Sequence, residues 1–230
     1  KSRSRGLGDV YKRQISVSLQ WLDSLVTFAM PPKTMSIEEA KEVTKGIDNL
    51  YLYKDEGEML TAFLDTIQDA DILTGWNSEG YDIPYIVNRI QKVLSKDDTR
   101  KLCLWKQLPK KRVFERFGRE QETYDLVGRV HLDSLELYRK YTYEERHSYR
   151  LDAIGEHELG EKKTVYEGSL DQLYNQDFRT FVEYNRQDTV LIDKLDRKLK
   201  FIALTNELAH ANTVLSVSYT HLTLPTMELV

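Results

Sequence analysis

The chain has 230 residues, of which 40% are hydrophobic and 30% charged, a balance that excludes intrinsically disordered and membrane-spanning classes. Its 33 lysines and arginines are outnumbered by 37 aspartates and glutamates, and the formal net charge of −4 gives no bulk argument for nucleic-acid binding. The single cysteine, Cys103, rules out an intrachain disulfide and fits a reducing compartment. Length and composition together predict one domain with a sizeable core.

The first helix is predicted over residues 56–68. Its apolar residues recur at helical spacing and give the helix one face that packs against a core. These residues are Met59, Leu60, Phe63, Leu64 and Ile67.

The segment GWNSEGYD, which runs from Gly75 to Asp82, follows a short apolar strand. Gly75 lets the chain turn, and Asp82 opens a helix predicted over 83–94, where Pro84 lies in the first turn and its missing N–H costs little. Asn77 can hold backbone or sugar oxygens. The Asp82 carboxylate can be a helix N-cap or a ligand for a hard cation such as Mg²⁺, and both interpretations remain open.

A β-hairpin is predicted where residues 113–117 and 122–127 flank Gly118. Basic side chains here can contact phosphate groups, with a binding strength that falls with salt. They can also serve only to keep a strand edge from pairing, and both interpretations remain open. The basic residues in and before the hairpin are Lys106, Lys110, Lys111, Arg112, Arg116 and Arg119.

Asp133 follows a strand predicted over 129–132 and precedes a helix predicted over 134–140. Its residue type would permit metal binding, but its position favours an N-cap. Short helices are predicted over 151–157 and 170–174.

A long helix is predicted over about 177–208 from apolar residues at helical spacing. Tyr184 and Asp188 are four residues apart and therefore share one face of it. There the carboxylate could bind a metal ion while the phenol orients a metal-bound water. Spacing alone favours the alternative, in which Tyr184 is a core aromatic residue and Asp188 a solvated charge.

Taken together, residues 77–82 and 184–188 resemble the second and third exonuclease motifs of the family B DNA polymerases, which are roughly Asn-x-x-x-(Phe/Tyr)-Asp and Tyr-x-x-x-Asp. Residues 15–215 resemble the proofreading domain of a tailed-phage member of this family. Four runs match that domain in order and spacing: ILTGWNSEGYDIPYIVNRI, RVHLDSLELYRKYTY, SYRLDAIGEHELG and EYNRQDTVLIDKLDRKLKFI.

The resemblance implies a ribonuclease-H-like α/β fold with a central mixed sheet and a β-hairpin insertion. Residues 15–19 and 25–28 look like its second and third strands. The family's first motif, Asp-x-Glu, lies on the first strand, yet no aspartate of this chain has a glutamate two positions later. We therefore expect the first strand to be missing, and the remaining strands to associate with a gap or an exposed edge beside the site.

The same resemblance implies 3′→5′ hydrolysis of the terminal phosphodiester of single-stranded DNA, with two Mg²⁺ or Mn²⁺ ions in the complete parent site. Asp82 and Asp188 would bind metal, and Tyr184 would orient the attacking water. Because two of the four expected acids are absent, we expect this chain to be weakly active or inactive. The DNA-binding residues that the resemblance implies are Trp76, Asn77, Tyr81, Arg116 and Arg119.

The expected organisation places an exonuclease domain, incomplete at its N-terminal side, at residues 15–203 and the start of a link to a polymerase core at 204–215. Residues 1–14 and 216–230 match nothing in the family, and we interpret them as translated linker sequence; a basic arm that contacts nucleic acid is the alternative for 1–14. Expected partners are the single-stranded 3′ end of primer DNA, the polymerase core and a sliding clamp, with no membrane, in the cytoplasm of an infected bacterium. The alternative functions are a stand-alone DNA or RNA exonuclease and a non-catalytic nucleic-acid-binding module.

Overall fold

The computed structural model describes residues 15–116, 119–160 and 169–212. Seven strands, eight α-helices and a 3₁₀ turn lie in these ranges. The strands are β1 Ser16–Trp21, β2 Ser24–Ala29, β3 Leu50–Leu52, β4 Ile72–Gly75, β5 Lys110–Arg116, β6 Arg119–Asp125 and β7 Val130–Asp133. The helices are α1 Ile37–Val43, α2 Glu56–Thr66, α3 Asp82–Val93, α4 Ser134–Tyr141, α5 Leu151–Leu159, α6 Leu170–Gln176, α7 Phe178–Leu199 and α8 Phe201–Ala211, and the 3₁₀ turn spans Asp97–Leu102.

The described strands form three small sheets and not one continuous central sheet. In the first sheet β1 pairs antiparallel with β2, and β2 pairs parallel with β3; in the second, β4 pairs parallel with β7; the third is the antiparallel hairpin of β5 and β6. The predicted α/β class and the hairpin are confirmed. Among the described residues β1 pairs only with β2 and β4 only with β7, so each of the two strands has one edge without a paired strand.

The start of α3 contradicts one of the two interpretations of Asp82, namely that it is the N-cap of this helix. Tyr81 occupies the N-cap position, no side chain caps the helix, and Asp82 is its first residue. Asp82 is therefore not the N-cap, and its carboxylate is left available for another role. The cap predicted for Asp133 is confirmed, since its carboxylate accepts a hydrogen bond from the Leu135 N–H at 3.0 Å.

The largest hydrophobic cluster lies between the first sheet and helices α2 and α3. Met59, Leu60, Val87 and Ile90 are fully buried in it, and burying each such side chain stabilises the fold by about 1.5–3 kcal/mol. These residues come from the faces that their helical spacing predicts.

The long helix predicted over 177–208 is wrong in its continuity. Helix α7 ends at Leu199, Lys200 adopts a left-handed conformation with φ 56°, and α8 begins at Phe201. The turn brings the Phe201 ring to 5.5 Å from that of Tyr141 and 6.3 Å from that of Tyr138. Aromatic packing around Tyr138 accompanies the break, and the helical spacing of single residues does not reveal it.

Helix α7 is fixed against the first sheet through side-chain hydrogen bonds. The Asn185 Oδ1 accepts hydrogen bonds from Ser16 Oγ at 3.1 Å and Ser18 Oγ at 2.5 Å. Arg186 Nη1 donates to Thr27 Oγ1 at 3.0 Å. Residues 184–188 are thereby held beside β1 and β2. None of the helices that the structure describes has the length and apolar content needed to cross a bilayer.

Candidate active site

The loop between β4 and α3 is held in place by the carboxylate of Asp133. Its Oδ1 accepts from the Asn77 N–H at 2.9 Å, and its Oδ2 accepts from the Glu79 N–H at 3.0 Å. Asn77 has a φ of 58°, a left-handed conformation that asparagine tolerates better than most residues. Asp133 therefore positions this loop as well as capping α4, and the pattern of residue types around it did not predict the second role.

Asp82 lies at the end of this loop, close enough to Asp133 for the two carboxylates to interact electrostatically. Loss of hydration, followed by the negative charge of Asp133, raises the pKa of Asp82 to about 6. The side chain remains accessible to solvent, which limits the free energy that this shift represents. These surroundings disfavour the charged form of the Asp82 carboxylate. A bound cation would favour that form, so the position is suited to binding a cation.

A cavity of about 780 Å³ joins the loop to helix α7. Trp76 and Asn77 line it from the loop, and Tyr184 lines it from α7. The structure thus brings together three of the residues predicted from sequence. The remaining lining residues are Gly80, Gln121, Leu135, Arg139, His147, Ser148, Tyr149, Arg150, Leu151 and Asp152.

One wall of this cavity is basic and aromatic. The Arg139 guanidinium lies 4.5 Å from the centre of the Tyr149 ring, and Trp76 Nε1 donates to the Tyr149 carbonyl at 3.1 Å. Arg150 and His147 also line the cavity and are exposed, and among the described residues that line it Asp152 is the single acid. Sequence analysis did not single out these residues; the only signal was their presence in or near a run that resembles the family.

Three predicted site residues whose side chains the structure describes do not line the cavity: Tyr81, Asp82 and Asp188. Tyr81 stacks on Tyr85, with ring centres 5.9 Å apart and ring planes 11° apart. Asp188 is half-buried on α7, four residues after Tyr184, and is likewise absent from the lining.

The described residues do not fit a complete two-cation site. Within the described ranges, no group of three or more histidine, cysteine, aspartate or glutamate residues is arranged to hold a metal ion. Both Asp133 oxygens accept backbone N–H groups, so this carboxylate is committed to holding the loop and α4. Asp82 is the neighbouring carboxylate that solvent reaches.

The hairpin is attached to the loop through Glu79. Arg112 on β5 forms an ion pair with the Glu79 carboxylate and another with Asp125, with an Nε–Oδ1 distance of 2.8 Å. Thr123 on β6 donates to the Glu79 carbonyl at 2.7 Å. Since Gln121 on β6 lines the cavity, the hairpin forms part of its boundary.

The basic residues predicted at the hairpin tip fall at the limit of the described structure. Arg116 and Arg119 are paired in register at the end of β5 and β6. Their side chains, and Gly118 between them, lie outside the described residues.

Comparison with known proteins places this geometry in context. Residues 13–154 match the family model for the exonuclease domain of DNA polymerase family B. A DNA-directed DNA polymerase of Escherichia phage RB69 is 31% identical over 160 residues, which are 69% of this chain and 18% of that protein. The corresponding enzyme of Enterobacteria phage T4 is 28% identical over 190 residues, 80% of this chain and 20% of that protein. The DNA polymerase delta catalytic subunit of Bos taurus is 29% identical over 174 residues, which are 70% of this chain and 16% of the bovine protein. The chain therefore spans about a fifth of the length of the two phage relatives.

Proposed function

The chain belongs to the family B DNA polymerases, in their exonuclease domain, and on this premise we propose that it is the 3′→5′ proofreading part of a replicative phage polymerase. The proposed reaction is hydrolysis at a single-stranded 3′ end. Water adds to the phosphorus of the terminal phosphodiester, and the bond from that phosphorus to the 3′ oxygen of the preceding nucleotide breaks. The 3′ oxygen takes up a proton and remains on the shortened strand, and a nucleoside monophosphate is released. The proposed domain spans residues 15–203, and 204–215 would lead toward a polymerase core.

The observation that supports this proposal best is the cavity shared by the β4–α3 loop and helix α7. Trp76, Asn77 and Tyr184 line it together although Tyr184 is more than a hundred residues away in sequence. Rings and an amide suit the bases and sugars of a single strand, and Arg139 and Arg150 suit its phosphates. The cavity is open to solvent and its lining mixes polar and apolar groups, so it can admit the end of a flexible strand.

The proposed roles follow the chemistry of each side chain. Asp82 and Asp188 would bind divalent cations, Mg²⁺ or Mn²⁺, which supply charge neutralisation and a more acidic water when bound. The Tyr184 hydroxyl would orient the attacking water by a hydrogen bond. Since the described donors are too few for two cations, strong activity is expected only when an Asp-x-Glu strand completes the site.

A second candidate function is a nucleic-acid-binding module that does not hydrolyse its ligand. The incomplete acid set favours it for this chain taken by itself, while the cavity serves both functions equally. For the parent polymerase we propose the primer 3′ end and the polymerase core as partners, with a sliding clamp as a further one, in an infected bacterial cell.

The test is Mg²⁺-dependent shortening of a 5′-labelled single-stranded DNA. We would compare the chain, the chain preceded by a strand that carries Asp-x-Glu, and Asp188→Ala in that longer protein. The matched control is Asp193→Ala, which removes another α7 aspartate that pairs with Arg197.

Shortening by the longer protein, loss of it in Asp188→Ala and its retention in Asp193→Ala would support the proposal. Equal shortening by the chain alone would show that the site is complete without Asp-x-Glu. No shortening by the longer protein, with DNA binding intact, would favour the binding module.

A further inference from the structure

A tight turn before the hairpin carries an unexpected pair of residues. The Gln107 N–H donates to the Leu104 carbonyl at 3.2 Å, which closes a four-residue turn. The two central residues, Trp105 and Lys106, have φ values of 53° and 55°. Turns with positive φ at both central positions favour asparagine and glycine. A tryptophan–lysine pair at these positions works against local backbone preference, and such departures concentrate at functional sites.

The surrounding residues hold this turn in place and leave the tryptophan ring open. Arg100 Nη1 donates to the Lys106 carbonyl at 2.9 Å. Gly128 lies against the ring, since a Cβ built there would approach Trp105 Cζ3 to 2.9 Å. Trp105 is nevertheless 74% exposed. The ring is therefore supported from the protein side and presented to solvent on the other.

Two lysines that form no ion pair among the described residues follow Trp105 in the sequence. Lys106 and Lys110 are exposed, and neither forms an ion pair within the part of the chain that the structure describes. The neighbouring cations are neutralised by carboxylates: Arg100 pairs with Asp97, Lys101 with Asp65 and Lys111 with Glu122. Lys106 is thus the turn residue directly after Trp105, and Lys110 begins β5 five residues after the ring.

We propose that Trp105, Lys106 and Lys110 form a second contact for single-stranded DNA, in which a base stacks on the indole and the two lysines contact neighbouring phosphates. This inference rests on the proposed function, since it takes DNA as the ligand. An open ring with flanking cations is the combination by which proteins hold single strands without sequence preference. We name this surface the Trp105 contact.

The Trp105 contact is separate from the cavity. Trp105 is not among the lining residues, and it precedes the base of the hairpin, where Lys110 lies opposite Asp125 in the strand register. Gln121, which does line the cavity, lies four positions farther along the strand, or about 13 Å at 3.3 Å per residue. The contact would therefore hold nucleotides that the cavity does not reach.

The test is the dissociation constant of a 5′-labelled sixteen-nucleotide oligothymidine, measured by fluorescence anisotropy with EDTA present so that no hydrolysis occurs. The main variant is Trp105→Asn, because asparagine adopts the left-handed conformation readily. It should weaken binding about fivefold or more while the melting temperature stays equal or rises. Trp105→Phe should retain most of the affinity. The matched control is Trp21→Asn, which removes another exposed tryptophan, 62% accessible, at the β1–β2 turn.

The lysines have a separate readout in the dependence of binding on salt. Lys106→Gln with Lys110→Gln should reduce the slope of log affinity against log salt by about 1.4, since each single-strand phosphate contact contributes about 0.7. The control combines Lys33→Gln with Lys54→Gln, which removes the same charge from two exposed lysines elsewhere and should leave the slope unchanged.

The outcomes separate this inference from the proposed function. Unchanged affinity in Trp105→Asn, together with weaker binding in Tyr184→Ala, overturns the Trp105 contact and leaves the cavity as the DNA site. Absence of oligothymidine binding by the unaltered chain overturns both. Weaker binding in Trp105→Asn and not in Trp21→Asn supports the contact.

Discussion

Asp82 and Asp133 are two neighbouring carboxylates whose surroundings give them different tasks. Asp133 is only 5% exposed, and loss of hydration raises its pKa, although three backbone N–H groups donate to its carboxylate and stabilise the charged form. Asp82 has its pKa raised by loss of hydration and by the Asp133 charge, and solvent still reaches it. One carboxylate is committed to holding the structure, and the other carries a cost in its charged form that a bound cation would remove.

This difference predicts how Asp82 affects stability in the metal-free chain. In the folded chain the pKa of Asp82 is about 6, whereas its ordinary value is 3.8. Protonated Asp82 therefore contributes favourably to the stability of the fold below about pH 4, and this contribution is lost as the pH rises through 6. Asp82→Asn should raise the melting temperature at pH 7, measured in EDTA, and change it little at pH 4.

The control for this prediction is the exposed Asp48, changed to asparagine. An equal rise in melting temperature for both variants would point to a general charge effect. A fall for Asp82→Asn at pH 7 would contradict the proposed environment of Asp82.

Residue types in the sequence predicted some of this site and could not predict the rest. Asn77 and Tyr184 were predicted together because two motifs of one family contain them, Trp76 was predicted because it directly precedes the first motif, and all three line the cavity. The loop-holding role of Asp133 depends on a parallel pairing of β4 with β7 that brings residues 75 and 133 side by side. Such a long-range pairing leaves no local trace around either residue.

At the scale of elements, helices α5 and α7 pack unusually closely at Gly155. A Cβ built on this glycine would lie 2.8 Å from Leu191 Cδ2 and 3.0 Å from Leu191 Cδ1. The absence of a side chain at this position permits the close approach, although glycine is a weak helix former. This contact sets how far α5, which begins at the cavity wall, lies from the helix that carries Tyr184.

Gly155→Ala should destabilise the chain by about 1–3 kcal/mol, because the added methyl group overpacks the interface. Urea unfolding followed by circular dichroism measures this change. In a Leu191→Ala background, where room is available, the same substitution should cost much less. Equal costs in both backgrounds would show that the α5–α7 approach does not depend on this pair.

The hairpin depends on Arg112 for its attachment to the β4–α3 loop. Arg112→Gln leaves the largely buried Glu79 carboxylate without this partner, and loss of a charge-assisted hydrogen bond costs about 1.5–3 kcal/mol. Backbone amides of β5 and β6 should then exchange with solvent at least tenfold faster, as measured by hydrogen–deuterium exchange.

Lys111→Gln is the matched control, because it removes an exposed ion pair with Glu122 on the same strand. Exposed pairs contribute little to stability, so its exchange rates should stay close to those of the unaltered chain. Similar acceleration in both variants would mean that the Glu79 link does not secure the hairpin.

Most individual elements could be predicted from local pattern, and the joints between them could not. Helix α2 and the hairpin follow from the spacing of apolar and turn residues. The unpredicted helix α1 did have a signal, since Ser36 and Glu39 form a reciprocal capping box. The break at Lys200 had none, because the contact of Phe201 with Tyr138 and Tyr141 joins residues some sixty positions apart.

For the whole molecule, cohesion depends on helices that pack against the sheets and against one another. Helix α7 contacts β1, β2, α5 and α6, and α2 is joined to α3 by a buried pair in which Arg89 Nε lies 2.8 Å from Glu56 Oε1 and Arg89 Nη2 lies 2.5 Å from Glu56 Oε2. The two side chains are 5% and 7% exposed. Removing one charge would leave the other buried without its partner.

Glu56→Gln should therefore lower the free energy of unfolding by about 3–5 kcal/mol. Guanidinium unfolding followed by circular dichroism and by tryptophan fluorescence measures this change, and the two signals should coincide if α2 and α3 unfold with the rest of the chain. Asp65→Asn, which breaks the exposed pair with Lys101 at the other end of α2, should cost less than about 1 kcal/mol. A small effect of Glu56→Gln would show that the buried pair does not hold these helices.

Sequence predicted the fold class of the whole molecule through family motifs, while the arrangement of its sheets required the structure. Strand count and helix spacing indicate an α/β domain, but they do not say which strands share hydrogen bonds. The expectation of an exposed edge came from a motif absent from the sequence, and β1 and β4 each have one paired side among the described strands.

Glu79 ties three elements at one point: its N–H to Asp133, its carboxylate to Arg112 on β5 and its carbonyl to Thr123 on β6. An insertion at the base of the hairpin would shift Arg112 and Thr123 out of register and turn their side chains to the opposite face. An insertion beyond the pairing of Arg116 with Arg119 would leave all three bonds unchanged. Relatives should therefore vary in hairpin length at the tip and keep the residues at positions 112 and 123 opposite each other in the strand register.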